Sequence, residues 1–130
     1  MAENHQNEVI KCSNAPAAVG PYSAGIKSGD LIFLSGQLGL DPANNDFVEG
    51  GIEEQTKQAL LNLQNVLEEV GADLSNVVKT IVFLNDINDF GKMNAVYAEF
   101  FKMNPPARST VQVSALPKSG LVEIEAIARI

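Results

Sequence analysis

The sequence predicts an α+β fold: a single, mostly antiparallel sheet with two helices packed on one face. Three observations predict it. Two segments, 52–70 and 90–101, carry apolar residues at three- and four-residue spacing. Six shorter runs read as strands. Their order is strand, β-hairpin, helix, strand, helix, strand, strand, so two amphipathic helices are available to cover one face of one sheet.

Residues 8–12 form a first strand. Ser13 to Tyr22 holds Pro16, Gly20 and Pro21 and reads as a shaped loop. The runs 23–27 and 31–36 flank Ser28-Gly29-Asp30, which makes a hairpin. Asp41 to Gly51 is a loop rich in Asn, Asp, Gly and Pro. In the first helix, Ile52, Ala59, Leu60, Leu63, Val66, Leu67 and Val70 line one stripe, and Gly71 stands where a left-handed C-cap belongs. Val77 to Leu84 is apolar on both faces, as a central strand requires. Asp89 is a suitable N-cap for the second helix, whose stripe is Phe90, Met93, Tyr97, Phe100 and Phe101. Pro105 and Pro106 end it.

Two strands close the chain. In 108–113, Arg108, Thr110 and Gln112 share a face opposite Ser109, Val111 and Val113. In 121–130, Val122, Ile124, Ala126, Ala128 and Ile130 face one way. Leu121, Glu123, Glu125, Ile127 and Arg129 face the other. That second face mixes apolar and acidic residues, which points to burial in an oligomer with polar pockets between subunits.

The 130 residues fit one domain, 1–130, with 1–7 as a flexible tail. A chain of this length buries roughly two thirds of its unfolded surface, so no disulfide or metal staple is needed. With 45% hydrophobic and 19% charged residues it is globular rather than disordered. The net charge of −7 and scattered basic residues argue against a nucleic-acid partner. No apolar run approaches the ~20 residues of a membrane span. The single cysteine, Cys12, and the polar N-terminus point to the cytoplasm.

The residue inventory narrows the chemistry. His5, in the polar tail, is the only histidine. A Ser-His-Asp triad, a Cys-His pair or a histidine-rich zinc site therefore lacks its parts. No phosphate-binding glycine loop is present. We expect no metal and no cofactor: an enzyme of this composition works with Arg, carboxylates, Tyr, backbone groups and water.

Four features could carry such chemistry. Arg108, just after Pro105-Pro106-Ala107, sits on a stiff backbone and offers a planar fork suited to a carboxylate. Glu123 and Glu125 point the same way among Ile, Val and Ala, where partial desolvation would raise a carboxyl pKa for acid–base work. Tyr22 follows Gly20-Pro21 and could give one directed hydrogen bond. Ser35-Gly36-Gln37 could offer backbone groups to a ligand. By residue type alone each also has a structural reading: a surface ion pair, an exposed strand face, loop packing, and a bulge or close approach at Gly36.

Taken together and in order, the motifs resemble the Rid/YjgF family of 2-iminobutanoate/2-iminopropanoate deaminases. The matching runs are Asn14-Ala15-Pro16-Ala17-Ala18, Gly20-Pro21-Tyr22-Ser23, Ser35-Gly36-Gln37, Gln55-Thr56 through Asn62-Leu63, and Val78-Lys79-Thr80 with Val82-Phe83-Leu84. Further along are Asn94-Ala95-Val96-Tyr97 with Phe100-Phe101, Pro106-Ala107-Arg108-Ser109-Thr110, and Val122-Glu123-Ile124-Glu125-Ala126-Ile127-Ala128. The Pro-Ala-Arg-Ser and Glu-Ile-Glu-Ala runs are the specific ones.

The resemblance implies a chorismate-mutase-like α+β fold and a homotrimer with three inter-subunit clefts. It implies hydrolysis of small 2-imino or enamino acids to 2-oxo acids and ammonia. Arg108 would grip the substrate carboxylate and Glu123 would position or activate water. Tyr22, Ser35, Gly36 and Asn94 would line the pocket. Many members have cysteine where this chain has Thr110. Threonine can hydrogen-bond a ligand, but its lack of a thiol puts any thiol-based role in doubt here. Three other readings stay open: a non-catalytic 2-oxo-acid-binding regulatory trimer, a chaperone-like protein, and an RNA-cleaving inhibitor, which the −7 charge disfavours.

Overall fold

Alternation along the last strand organises the whole molecule. The computed structural model describes residues 7–130. Its elements are β1 (Asn7–Ile10), β2 (Gly25–Ser28), β3 (Leu31–Leu38), α1 (Gly51–Glu68), β4 (Val77–Leu84), α2 (Phe90–Phe100), β5 (Ala107–Gln112) and β6 (Val122–Arg129). One six-stranded sheet runs in the order β1-β2-β3-β6-β4-β5. All neighbours are antiparallel except β4 and β5, which are parallel and joined through α2. A parallel pair needs such a crossover because its ends lie at opposite ends of the sheet.

Val122, Ile124, Ala126 and Ala128 of β6 are buried towards the helices, with Ile32 of β3 and Val82 and Leu84 of β4. Leu60, Leu63, Val66 and Leu67 of α1 and Met93 of α2 close this core from above. Each fully buried aliphatic side chain of this kind contributes roughly 1.5–3 kcal/mol. Ile130, expected on the same face, lies past the end of β6 and is exposed.

The turns follow local chemistry. Gly29, at φ 62, and Asp30 link Ser28 to its partner Leu31. After α1, the Ala72 N–H donates to the Leu67 carbonyl and the Gly71 N–H to that of Glu68, with Gly71 at φ 77. This is a Schellman closure, and it places glycine where a left-handed residue is required.

Three expectations are corrected. Asn7 pairs with Ser28 in the sheet and is no part of a tail; the rest of that expected tail, with His5, lies outside the described residues. The first strand ends at Ile10, so Cys12 is not in it; its thiol instead donates to the Asn65 carbonyl of α1 at 3.4 Å. Asp89 occupies the N-cap of α2 but its side chain caps nothing. Asp86 is the local cap instead, accepting from the Asn88 N–H at 2.9 Å.

The sheet face away from the helices is strongly apolar in part. Val9, Ile26, Phe33 and Ile127 pair across four strands in one row, and Phe33 is 42% exposed. A second, small cluster of Leu38, Leu40 and Leu116 with Phe47 and Phe83 sits nearby.

Candidate active site

A break in β3 builds the first part of the site. The β3–β6 register shifts between Leu34 and Gln37, so Ser35 and Gly36 bulge beside β6. A Cβ on Gly36 would lie 2.8 Å from the carboxyl carbon of Glu123. Both structural readings of Gly36, bulge and close approach, therefore hold together, and both serve to seat Glu123. The Ser35 hydroxyl donates to the Ser23 carbonyl at 2.6 Å and its N–H to the Ala24 carbonyl at 3.0 Å, tying the bulge to the loop that carries Tyr22.

Tyr22 stands at the rim of a cavity of about 410 Å³ that Glu123, Ser35, Gly36, Ala17 and Leu38 also line. Its hydroxyl accepts from the Val19 N–H at 3.2 Å, which leaves the phenol proton available to a ligand. Glu123 is half-buried. Burial first, and the neighbouring Glu125 second, push its carboxyl above the usual carboxylate range.

Residues of α1 support this cavity. Asn62 is fully buried and donates to the carbonyls of Leu38 and Leu40 at 3.1 and 2.9 Å. Gln55 accepts from the Leu121 N–H at 3.0 Å. Neither belongs to the apolar stripe that marks this helix in the sequence. A polar residue repeated on the core side of such a helix is the signal that could have found them.

The second part lies at the sheet edge. Arg108 pairs in register with Thr80, and Thr80 is buried on the helix side. Arg108 therefore points to the helix layer, where its Cζ lies 4.7 Å from the centre of the Tyr97 ring and 5.6 Å from that of Phe90. Arg129 makes an ion pair with Asp30 at 3.1 Å; among the described residues Arg108 makes none. Its guanidinium N–H fork is thus unclaimed by any carboxylate among the described residues. Phe90, Asn94 and Tyr97 are spaced four and three apart on α2 and share the face that meets Arg108. The buried Asn94 Oδ1 and Thr110 Oγ1 have no hydrogen-bond partner. Buried polar atoms are rarely left so. Thr56 Oγ1 is also unpartnered, and nothing in the structure explains it.

The seven residues singled out from the sequence thus fall into two sets. Tyr22, Ser35, Gly36 and Glu123 gather on the open face of the sheet. Arg108, Asn94 and Thr110 gather beside β5, on the helix side. Glu123 pairs with Phe83 on the open face, so within one chain Arg108 and Glu123 point to opposite sides of the sheet. No group of three or more His, Cys, Asp or Glu residues among the described residues is placed to hold a metal ion.

Residues 12–130 match the family model described as endoribonuclease L-PSP. A 2-iminobutanoate/2-iminopropanoate deaminase of Bos taurus is 51% identical over 121 residues, covering 93% of this chain and 88% of that protein. The crystal structure of RidA from the Antarctic bacterium Psychrobacter sp. PAMC 21119 aligns with TM-score 0.91 at 43% identity, over 95% of this chain and 99% of that one. The crystal structure of E. coli TdcF with bound serine aligns with TM-score 0.90 at 36% identity, over 95% of this chain and 98% of that one.

Proposed function

Because the chain belongs to the Rid/YjgF family, described as endoribonuclease L-PSP, we propose that it is a deaminase of reactive 2-imino and enamino acids. Its substrates are small, such as 2-iminopropanoate and 2-iminobutanoate, and its products are the 2-oxo acid and ammonia. The observation that carries this reading is the guanidinium fork of Arg108, which pairs with no carboxylate among the described residues and lies over the Tyr97 ring on the side of the sheet that Thr110 shares.

The chemistry fits the residues. Arg108 binds the substrate carboxylate through two parallel N–H donors. Glu123, as carboxylate, takes a proton from water while the water oxygen bonds to the iminium carbon. That proton passes to the amino group of the resulting carbinolamine. The C–N bond then breaks as the carbonyl forms, and the hydroxyl proton passes through Glu123 to the departing ammonia, which leaves as ammonium and restores the carboxylate. Orientation and proton transfer suffice, because a protonated imine is already an electrophile. Tyr22, Ser35 and Gly36 shape the water side; Asn94 and Thr110 shape the acid side. No metal or cofactor enters the scheme.

Arg108 and Glu123 cannot serve one substrate from opposite sides of the same sheet. The reading therefore includes a homotrimer of the chorismate-mutase-like type, in which each cleft takes Arg108 from one subunit and Glu123 from its neighbour. The apolar row of Val9, Ile26, Phe33 and Ile127 supports burial of the open face in that assembly. A single domain spanning 1–130 and a cytoplasmic location belong to the same proposal. A net charge of −7 and one histidine offer little to an RNA substrate, despite the family description.

Ammonia release from freshly generated 2-iminopropanoate, corrected for spontaneous hydrolysis, tests the reading. Wild type should accelerate it. Arg108→Lys, which keeps charge but loses the fork, should be strongly impaired, and Arg108→Ala more so. Binding of the oxo acid without turnover would replace the enzyme by a regulatory trimer.

A further inference from the structure

We propose that Tyr97 is a positioning residue for Arg108: its ring is the shelf on which the guanidinium lies, and its hydroxyl bond to Thr80 fixes that shelf. The proposal rests on the reading that Arg108 binds the substrate carboxylate. Three observations meet here. The Arg108 Cζ lies 4.7 Å from the Tyr97 ring centre, within cation–π range. The Tyr97 hydroxyl and the Thr80 hydroxyl are 2.7 Å apart in the core. Thr80 is the residue paired with Arg108 across the β4–β5 ladder.

The geometry is closed. Arg108 leaves β5, Tyr97 leaves α2, and the tyrosine tip returns to β4 directly beside the strand position of Arg108. Tyr97 is 5% exposed and Thr80 fully buried, so neither is placed to touch water freely. Phe101 packs on the tyrosine ring at 4.6 Å between centres, holding it from a second direction. Burial pushes the Tyr97 hydroxyl up, against the opposing effects of Thr80 and Arg108, so the ring stays neutral at physiological pH.

The shelf solves a specific problem. An arginine held by a carboxylate would spend its fork on the protein. An arginine held by nothing would lose rotamer freedom each time substrate bound. A ring beneath the guanidinium plane fixes that plane while leaving the in-plane N–H donors free for the substrate. Phe90, more exposed and 5.6 Å away, is the lesser contact.

The test is kinetic, with 2-iminobutanoate generated in place and ammonia measured. Tyr97→Leu removes the ring and should raise KM about tenfold while changing kcat by less than about threefold. Tyr97→Phe keeps the ring and should recover most of the loss. Thr80→Val should fall between them. In an Arg108→Ala background, Tyr97→Leu should add nothing further to KM, a coupling that mere loss of packing would not produce. Should Tyr97→Leu fail to fold, Tyr97→Met refills the space with an adaptable chain and carries the same comparison. An unchanged KM in the folded Tyr97 variants, with Arg108→Ala impaired, overturns the shelf alone. An unimpaired Arg108→Ala overturns the carboxylate reading beneath it.

Discussion

Gly36 and Glu123 are packed so closely that a methyl group on the glycine would sit 2.8 Å from the carboxyl carbon and 3.0 Å from Oε2 of the glutamate. The atoms that would have to yield belong to the end of a flexible side chain, so Gly36→Ala should move Glu123 and leave the fold intact. A displacement near 1 Å at a reacting group can cost on the order of 10²-fold. We expect Gly36→Ala to lower kcat at least about tenfold while its melting temperature stays within about 3 °C of wild type. A variant of full activity would remove Glu123 from the chemistry.

The environment of Glu123 sets a pH dependence. Its carboxyl is raised by burial and then by Glu125. The active form is the carboxylate, so kcat/KM should fall on acidification at a pH above the usual glutamate range. Glu125→Gln removes the second cause and should move that limb to lower pH; Glu123→Gln should abolish it and reduce kcat by about 10²–10⁴-fold. Stability has the opposite sign. A raised folded pKa means that folding favours the protonated form, a contribution fully present below the unfolded pKa and lost as pH rises through the folded one. Wild type should therefore gain stability relative to Glu123→Gln as pH falls from neutral into the carboxylate range. Melting curves of the two at matched pH values check this, and parallel curves would contradict it.

Periodicity carried the fold further than it carried the site. The period of two in 121–130, Ile130 apart, and the helical stripe in 52–70 place buried and exposed faces where they are found, and Gly71 marks a true helix end. The strand order was not readable, because inserting β6 between β3 and β4 is decided by long-range packing. The same limit applies to the site. Arg108 and Glu123 stand out by residue type, but each strand's alternation is known only relative to itself. That they point to opposite sides of the sheet emerges only from the registers through β4. Tyr97 reads as a core aromatic at helical spacing, and it is one. What the spacing hides is the partner of its hydroxyl, Thr80, 17 residues away.

Asn62 supplies a stability prediction. It is the donor to two carbonyls, that of Leu38 at the end of β3 and that of Leu40 just beyond it, from a site with no solvent access. Asn62→Leu keeps the volume close but leaves both acceptors unpaired, at a cost of about 2–4 kcal/mol. The urea midpoint should fall with an unchanged slope. A loss below about 0.5 kcal/mol would mean that other donors satisfy these carbonyls.

The separation of Arg108 from Glu123 gives the most direct test of a shared site. Arg108→Ala and Glu123→Gln should each be nearly inactive alone. If every cleft takes its arginine from one subunit and its glutamate from the next, mixed assemblies contain clefts in which both groups are intact. Random mixing of the two variants in equal amounts leaves about a quarter of the clefts fully wild type, because each of two independent positions is correct half the time. Refolding the variants together should therefore restore about a quarter of wild-type ammonia release, whereas refolding them separately and then combining them without exchange should restore none. Were the site built within one chain, every chain would carry a defect and no mixture would recover. Recovery that tracks subunit exchange, followed by native mass spectrometry of the mixture, would establish both the assembly and the division of labour between its faces.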